Sequence, residues 1–389
     1  MGFGAIITTG DGFSPLADDV MRWIVEVRVE QELSKPTIYA IRFEDDLCEG
    51  NPVVAGRSEL QAGQVLGIFV KKGDGHECLV HGPITRLRTS SMVGGTGSWV
   101  EVRGQDRRVE MDRVGVQATY TGKASAAAQR VISAYGYDAD CEETRRDYSD
   151  GQNALNQRGT DLAFLEDISR KNNLELWLSY DTSGSPDSFA VTTTVNVKSS
   201  PTRTSSPGLS LPPLPPVLQA PRGTSLKVQP PPEECASVTR FDTHIDFERP
   251  GAARGFAQAA DSGETAEQTT NPADPPLGED RADIVAVDGV ERTALAPPVT
   301  DPDEHYLAQE ALLTEAAWFV QVECSATLEL LGFPPQPHQV VDVQYAGDRL
   351  SGPYQVMKAT HIINAADTYV DFKIRANGLR TTATVGGLL

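Results

Sequence analysis

Strict alternation in the first hundred residues constrains this chain more than any other feature. Trp23, Val25, Val27 and Val29 interleave with Glu26, Arg28 and Glu30. Side chains of a strand point to opposite faces in turn, so such a segment has one buried and one wet face. The pattern returns at 37–43 through Tyr39, Ile41 and Phe43. Strands are expected again at 64–70, 78–87 and 98–103, separated by Gly73-Asp74-Gly75 and Gly94-Gly95-Thr96-Gly97. Short strands with turn residues between them predict a small sandwich or barrel over residues 1–113.

The period changes after Arg113. Ala124, Ala128, Val131, Ile132 and Tyr135 lie on one face of a helix that Gly136 stops. A second helix is expected to start at Thr160-Asp161, with Leu162, Phe164, Leu165 and Ile168 as core anchors, and to end at Asn172-Asn173. It feeds a strand in which Leu174, Leu176, Leu178 and Tyr180 alternate with Glu175, Trp177 and Ser179. Residues 114–200 therefore read as an α+β insert.

Residues 201–232 hold ten of the 26 prolines, three basic residues and no acidic one. A stretch of this kind buries no core and predicts an extended linker. Residues 233–304 then carry 17 Asp+Glu against 5 Arg, and 258–280 reads as a polar, acidic loop. A helix over 302–318 is signalled by Asp301 as N-cap, Pro302 and Glu304, with Leu307, Ala308, Ala311 and Leu312 as its buried stripe. Strands at 339–345, 354–362 and 368–376 close the chain, and 381–389 reads as a loose tail. The expected fold is α+β, mainly β: two similar small β-barrel modules (1–113 and 233–380) flank the insert and the Pro-rich linker.

The balance of 34 Lys+Arg against 54 Asp+Glu, a formal charge of −20, argues against nucleic-acid binding by phosphate neutralisation. The longest apolar run, 65–70 counting its glycine, is far short of the roughly 20 residues a membrane helix needs. The start lacks a basic region and an apolar stretch long enough for a signal peptide, so synthesis in the cytoplasm without a secretion signal is expected. Five scattered cysteines form neither a disulfide framework nor a CxxC pair.

No reaction is legible. His76-Glu77-Cys78-Leu79-Val80-His81 is the densest set of metal-ligand types, but on a strand His81 points away from His76 and Cys78. Nucleophile elbows, Walker loops and dinucleotide fingerprints are missing from the sequence. Adjacent carboxylates such as Asp45-Asp46 are too common in an acidic chain to mark catalysis. The run Arg103-Gly104-Gln105-Asp106-Arg107-Arg108 has two readings: it ties a strand end to neighbouring carboxylates, or it contacts another subunit. No catalytic residue, cofactor or metal is expected.

Four blocks together resemble the phage late-control gene D proteins, the baseplate hubs of contractile tails, related to the N-terminal part of type VI secretion spike (VgrG) proteins. Residues 100–108 through Asp112-Arg113, with Arg103, Gly104, Asp106 and Arg107, look like the family's strand and Gly-Tyr-Asp-Arg turn, with Gln105 in the aromatic position. Thr160, Asp161, Phe164 and Leu165 look like its Ser-Asp-x-x-Phe-Leu helix start. The alanine-rich helix after Asp301 is the third block. Ser351, Gly352, Tyr354 and His361, followed by a strand to Arg375, look like its ending, although Ala376 intervenes before Asn377.

The resemblance implies a structural hub, a homotrimer whose two β modules per chain form a pseudo-sixfold ring. Such a ring presents six sockets to a hexameric inner-tube protein and three to a trimeric spike. The sequence runs only about a dozen residues past its last expected strand, so the spike is expected on a separate polypeptide. Other baseplate proteins are the remaining expected partners, with neither nucleic-acid-specific binding nor direct membrane insertion. The particle would be a phage tail, a tailocin or a phage-derived injection system. Acidic surface suits a channel lining, because negative walls do not hold DNA. Two rivals are a cell-wall-cleaving tail enzyme and a stand-alone β-rich binding module.

Overall fold

The structure, a computed structural model, describes residues 4–45, 54–92, 97–149, 151, 154–182, 189–202, 224–258, 265–270, 277–278, 292–296 and 302–379. The N-terminal part contains β1 (Ala5–Thr9), β2 (Ser14–Pro15), the one-turn helix α1 (Asp18–Met21), β3 (Ile24–Glu32), β4 (Lys35–Glu44), β5 (Val65–Lys72), β6 (Gly75–Ser90) and β7 (Trp99–Gln105). Next come α2 (Arg108–Met111), β8 (Gly115–Tyr120), β9 (Gly122–Lys123), α3 (Ala124–Ser133), β10 (Asp138–Cys141), β11 (Asp147–Tyr148), β12 (Leu155–Thr160), α4 (Asp161–Lys171), β13 (Glu175–Asp181) and β14 (Thr192–Lys198). The C-terminal part has β15 (Ser225–Lys227), β16 (Arg240–Ile245), β17 (Ala252–Gln258), β18 (Thr265–Thr270), β19 (Thr293–Leu295) and α5 (Pro302–Ala317). It ends with β20 (Val320–Thr327), α6 (Leu328–Leu331), β21 (Val340–Gln344), β22 (Gly352–Asn364) and β23 (Thr368–Ala376).

The two β modules are joined rather than separate. One 13-stranded sheet runs β16-β20-β23-β22-β3-β4-β7-β6-β5-β1-β2, with β21 and β15 attached beside β22. The seam is β22 against β3, where seven antiparallel pairs run from Lys358 opposite Glu32 to Asn364 opposite Glu26. Its pairing path stays open: β16 and β2 do not pair with one another among the described residues.

Across this sheet one order occurs twice. In sequence the N-terminal module supplies β3, β4, β6 and β7, and the C-terminal module β16, β20, β22 and β23. In space they lie as β3-β4-β7-β6 and β16-β20-β23-β22: first, second, fourth, third in both. Every neighbouring pair is antiparallel, so the second set is a translated copy of the first with strand directions preserved. A β-bulge marks the third strand of each set at the same place, between Ile84 and Arg86 in β6 and between Val356 and Lys358 in β22. The bulges align Trp99-Val100-Glu101-Val102-Arg103 with Tyr369-Val370-Asp371-Phe372-Lys373, identical in chemical type at each position.

Each module has its own core. Val27, Val29, Ile41, Phe43, Leu66, Ile68 and Val102 pack in the first, and Val320, Val322, Val341, Val356, Phe372 and Ile374 in the second. A third cluster joins α3, α4, β13 and β14 to Phe69 and Cys78 of the first module, which seats the α+β segment on β5 and β6. Leu162, Phe164, Leu165 and Ile168, the expected anchors, are all buried in it. In β3 a bulge beside Val25 turns that side chain out, 45% exposed, and Ile24 enters the core instead.

Two expectations need correcting. The end of the Pro-rich stretch is structured: Ser225–Lys227 pairs in parallel with β21, and Leu226 is fully buried because an extended strand can dock on an open sheet edge. Within the expected loop 258–280, Thr265–Thr270 pairs with β17, its threonines suiting a strand despite the polar composition. The rest of the linker (203–223), Asp301 and the tail (381–389) lie outside the described residues. No helix among the described residues is long and apolar enough to cross a membrane.

Candidate assembly interface

The outward face of the shared sheet is charged. Pairing registers place Arg28, Arg42, Arg86, Arg88, Arg103, Arg240, Lys358 and Lys373 on it with Glu26, Glu30, Glu32, Glu44, Glu101, Asp242, Glu323 and Asp371. Basic and acidic groups are interspersed there, with Lys35 opposite Glu32 as a further cation, so the chain's −20 is carried elsewhere and this face is not an acidic wall. Ion pairs tie many of them together: Arg103 to Glu101 at 2.6 Å, Arg28 to Glu30 at 2.8 Å, Lys373 to Glu323 at 2.5 Å. Exposed pairs of this kind contribute little to stability. Lys358 spans the seam, 3.7 Å from Glu30 and 3.6 Å from Glu32. Arg42 and Arg88 sandwich the Trp99 ring at 4.7 and 5.2 Å.

Among the described residues the sheet also ends in two unpaired edges. In β6 the segment from Thr85 to Ser90 pairs only with β7, since β5 reaches no further than Pro83. Among the described residues β16 pairs only with β20. Each exposes a row of backbone donors and acceptors, which is a template for another strand.

The residues singled out in the sequence fall into separate groups. Arg103 lies on the charged face, and Gly104 is required by packing: a Cβ there would stand 2.2 Å from the Tyr39 ring and 2.5 Å from the Pro83 carbonyl oxygen. Asp106 is fully buried and accepts from the Thr37 amide at 2.5 Å. Its cation is Arg108, also buried, whose Nη2 donates to Asp106 Oδ2 at 2.7 Å and to the Lys35 carbonyl at 2.7 Å. Arg107 instead turns to Asp11 and Glu110, and Arg113 is exposed. Of the two readings of this run, the tie to carboxylates describes Asp106 and Arg108.

Thr160 caps α4 by accepting from the Ala163 amide at 3.2 Å and donates to Asp112 at 2.7 Å. Asp161 accepts from Gln157 at 2.6 Å and Tyr135 at 2.7 Å. Phe164 stacks on Tyr120, and Leu165 is fully buried. In the last block the Ser351 hydroxyl donates to the Gly347 carbonyl at 2.7 Å, and Gly352 takes φ +147°, a region that favours glycine. Tyr354 donates to the Leu350 carbonyl at 2.9 Å. His361 is buried beneath the seam, and burial pushes its imidazole down to about 4.

Sequence reading missed the second buried cation. Arg375 Nη2 donates to Glu175 Oε1 at 2.5 Å and Nε to Gln355 Oε1 at 2.8 Å, while its guanidinium lies 4.3 Å from the Trp318 ring. Glu175 also accepts from Gln355 at 2.7 Å and Ser200 at 2.6 Å. The neighbouring Leu176 accepts from the Ser34 amide at 3.0 Å. The start of β13 thus meets the second module through Glu175 and the first through Leu176.

The Cys78 thiol is pushed up by burial, and burial lowers the imidazole of His81 to about 4. Among the described residues no three His, Cys, Asp or Glu side chains are grouped to hold a metal.

The fold of the chain is similar to that of phage tail proteins and of a type VI secretion component, in line with the fold that the motif resemblance implied. It matches the 43 kDa tail protein of prophage MuSo2 from Shewanella oneidensis with TM-score 0.61 at 10% identity, covering 97% of this chain and 100% of that one. The tail protein of Neisseria meningitidis matches with TM-score 0.58 at 12% identity over 96% of both chains. The E. coli c3393 protein is a type VI secretion component with structural similarity to the bacteriophage T4 tail proteins gp27 and gp5. It matches with TM-score 0.53 at 13% identity, covering 92% of this chain and 76% of that one. No protein-family model and no curated protein matches the sequence.

Proposed function

We propose that this protein is the structural hub of a contractile tail or tail-derived injection particle, a homotrimer that joins a hexameric inner tube to a trimeric spike. One observation carries the reading: the same four-strand unit occurs twice in a single sheet, translated without reversal. Two objects related in this way repeat around an axis, and three chains supply six units to one rim while remaining threefold elsewhere. The α+β segment occurs once per chain, after β7, and provides the threefold feature. The charged sheet face would line the ring, with mixed rather than acidic charge.

The role is mechanical, and the partners are the tube protein, a separate spike protein and other baseplate components. As part of a virion or injection particle, the chain would assemble in the cytoplasm. Light scattering tests the reading directly: three copies of a 41.9 kDa chain give about 126 kDa. Electron micrographs down the axis should show a ring of six lobes. A chain that stays at 41.9 kDa with tube and spike proteins present refutes the assignment, and cell-wall clearing in a zymogram would favour an enzyme instead.

A further inference from the structure

The seam inside the chain supplies a template for the two free edges. We propose that β6 of one copy pairs antiparallel with β16 of the next in the register of the β22–β3 seam. Thr89 then lies opposite Thr243 of the neighbouring copy, and Arg86 opposite its Asp246. The proposal rests on the ring reading above and adds which atoms close it.

The register follows from pairing already present. The matching bulges make Arg86 the counterpart of Lys358, and Thr89 that of His361. Passing across from Arg103 and Lys373 to Ala40 and Glu323, and then to Arg28 and Asp242, makes Thr243 the counterpart of Val29 and Asp246 that of Glu32. In the internal seam Lys358 opposes Glu32, and His361 opposes Val29.

The side chains fit the transferred register. Arg86 would meet Asp246 as Lys358 meets Glu32. On the other face Leu87 would meet Ile245, both only partly covered in the single chain. Thr89 and Thr243, exposed now, form a β-branched cross-strand pair. A slip of one residue would set Leu87 opposite His244 or Asp246, joining the core face of one chain to the charged face of the next, so the register is specified.

The full chain carrying Thr89→Cys and Thr243→Cys tests this under mild oxidation. Directly opposed strand residues have Cα atoms about 4.5–5.5 Å apart, within disulfide reach. The expected product is a covalent trimer on a non-reducing gel, with the disulfide between the two substituted positions identified by mass spectrometry. The companion Thr85→Cys and Thr243→Cys, four residues out of register, should stay uncrosslinked. If light scattering finds a trimer but the companion links instead, or neither does, the register is overturned and the ring survives. If the chain is monomeric at every concentration and with the spike protein present, both fall. All three threonines are exposed, so folding is not at stake.

Discussion

Arg375 donates to Glu175 across 200 residues of sequence, at 2.5 Å, and the pair pins the α+β segment to the last strand of the second module. With side-chain exposures of 5% and 10%, both charges are largely withdrawn from water, and removing Arg375 leaves the Glu175 carboxylate without its guanidinium, held only by neutral donors such as Gln355 and Ser200. Arg375→Ala should therefore cost about 3–5 kcal/mol, well above an exposed ion pair. Urea unfolding of Arg375→Ala beside Arg103→Ala, which breaks the surface pair with Glu101, makes the comparison. Equal losses would show the buried contact to be unimportant.

Gly104→Ala drives a methyl into the Tyr39 ring and the Pro83 carbonyl. Overpacking of this kind costs about 1–3 kcal/mol. Tyr39→Leu alone should also destabilise, but the double variant should lose less than the sum of the two singles. Strict additivity in a thermal-melt cycle would mean that Tyr39 is not what excludes the side chain.

Acid should loosen the fold before the carboxylates titrate. Burial holds His81 and His361 at about 4, below the usual 6.5. Between those values the unfolded chain takes up protons that the folded chain refuses, so unfolding gains as pH falls. The stabilisation is complete above about pH 6.5 and is lost on descending to 4, up to about 3 kcal/mol for each histidine. Urea midpoints should be level from about pH 8 to 7 and fall from about 6.5 to 4.5. His361→Leu should flatten that fall, and an unchanged slope would assign it to other groups.

Leu165→Ala and Phe164→Ala should cost about 2–5 kcal/mol each through the cavities they leave. Both side chains are buried in the cluster that seats α4 on its neighbours. Differential scanning calorimetry on the two variants checks this, and unchanged melting in both would remove α4 from the core.

Strands with strong one-sided burial were legible in the sequence, because Val27, Ile41 and Val102 announce a core face by alternation alone. β12 was not: its buried positions are Leu155 and Gln157, and Gln157 is inside because Asp161 and Tyr120 satisfy its amide. β16 was hidden for the opposite reason, since an edge strand with exposed Asp242, Thr243 and His244 has little apolar face to show. β20 did alternate, through Val320, Val322, Cys324 and Ala326, and could have been found. The expected pair of similar modules had a further signal, the likeness of Trp99-Val-Glu-Val-Arg to Tyr369-Val-Asp-Phe-Lys. The Glu175, Gln355 and Arg375 knot could not have been found, because no local pattern relates residues that only the folded chain brings together.

The β22–β3 seam has a kinetic meaning. A contact formed within one polypeptide is independent of protein concentration, whereas each contact between chains awaits an encounter. A closed collar of six identical small proteins would have six joints to make between chains, whereas in the proposed ring, with alternate seams already made inside each chain, three would remain. Dilution in the cell would then act on only half of the joints, and the parts that must wait for one another would be fewer and larger.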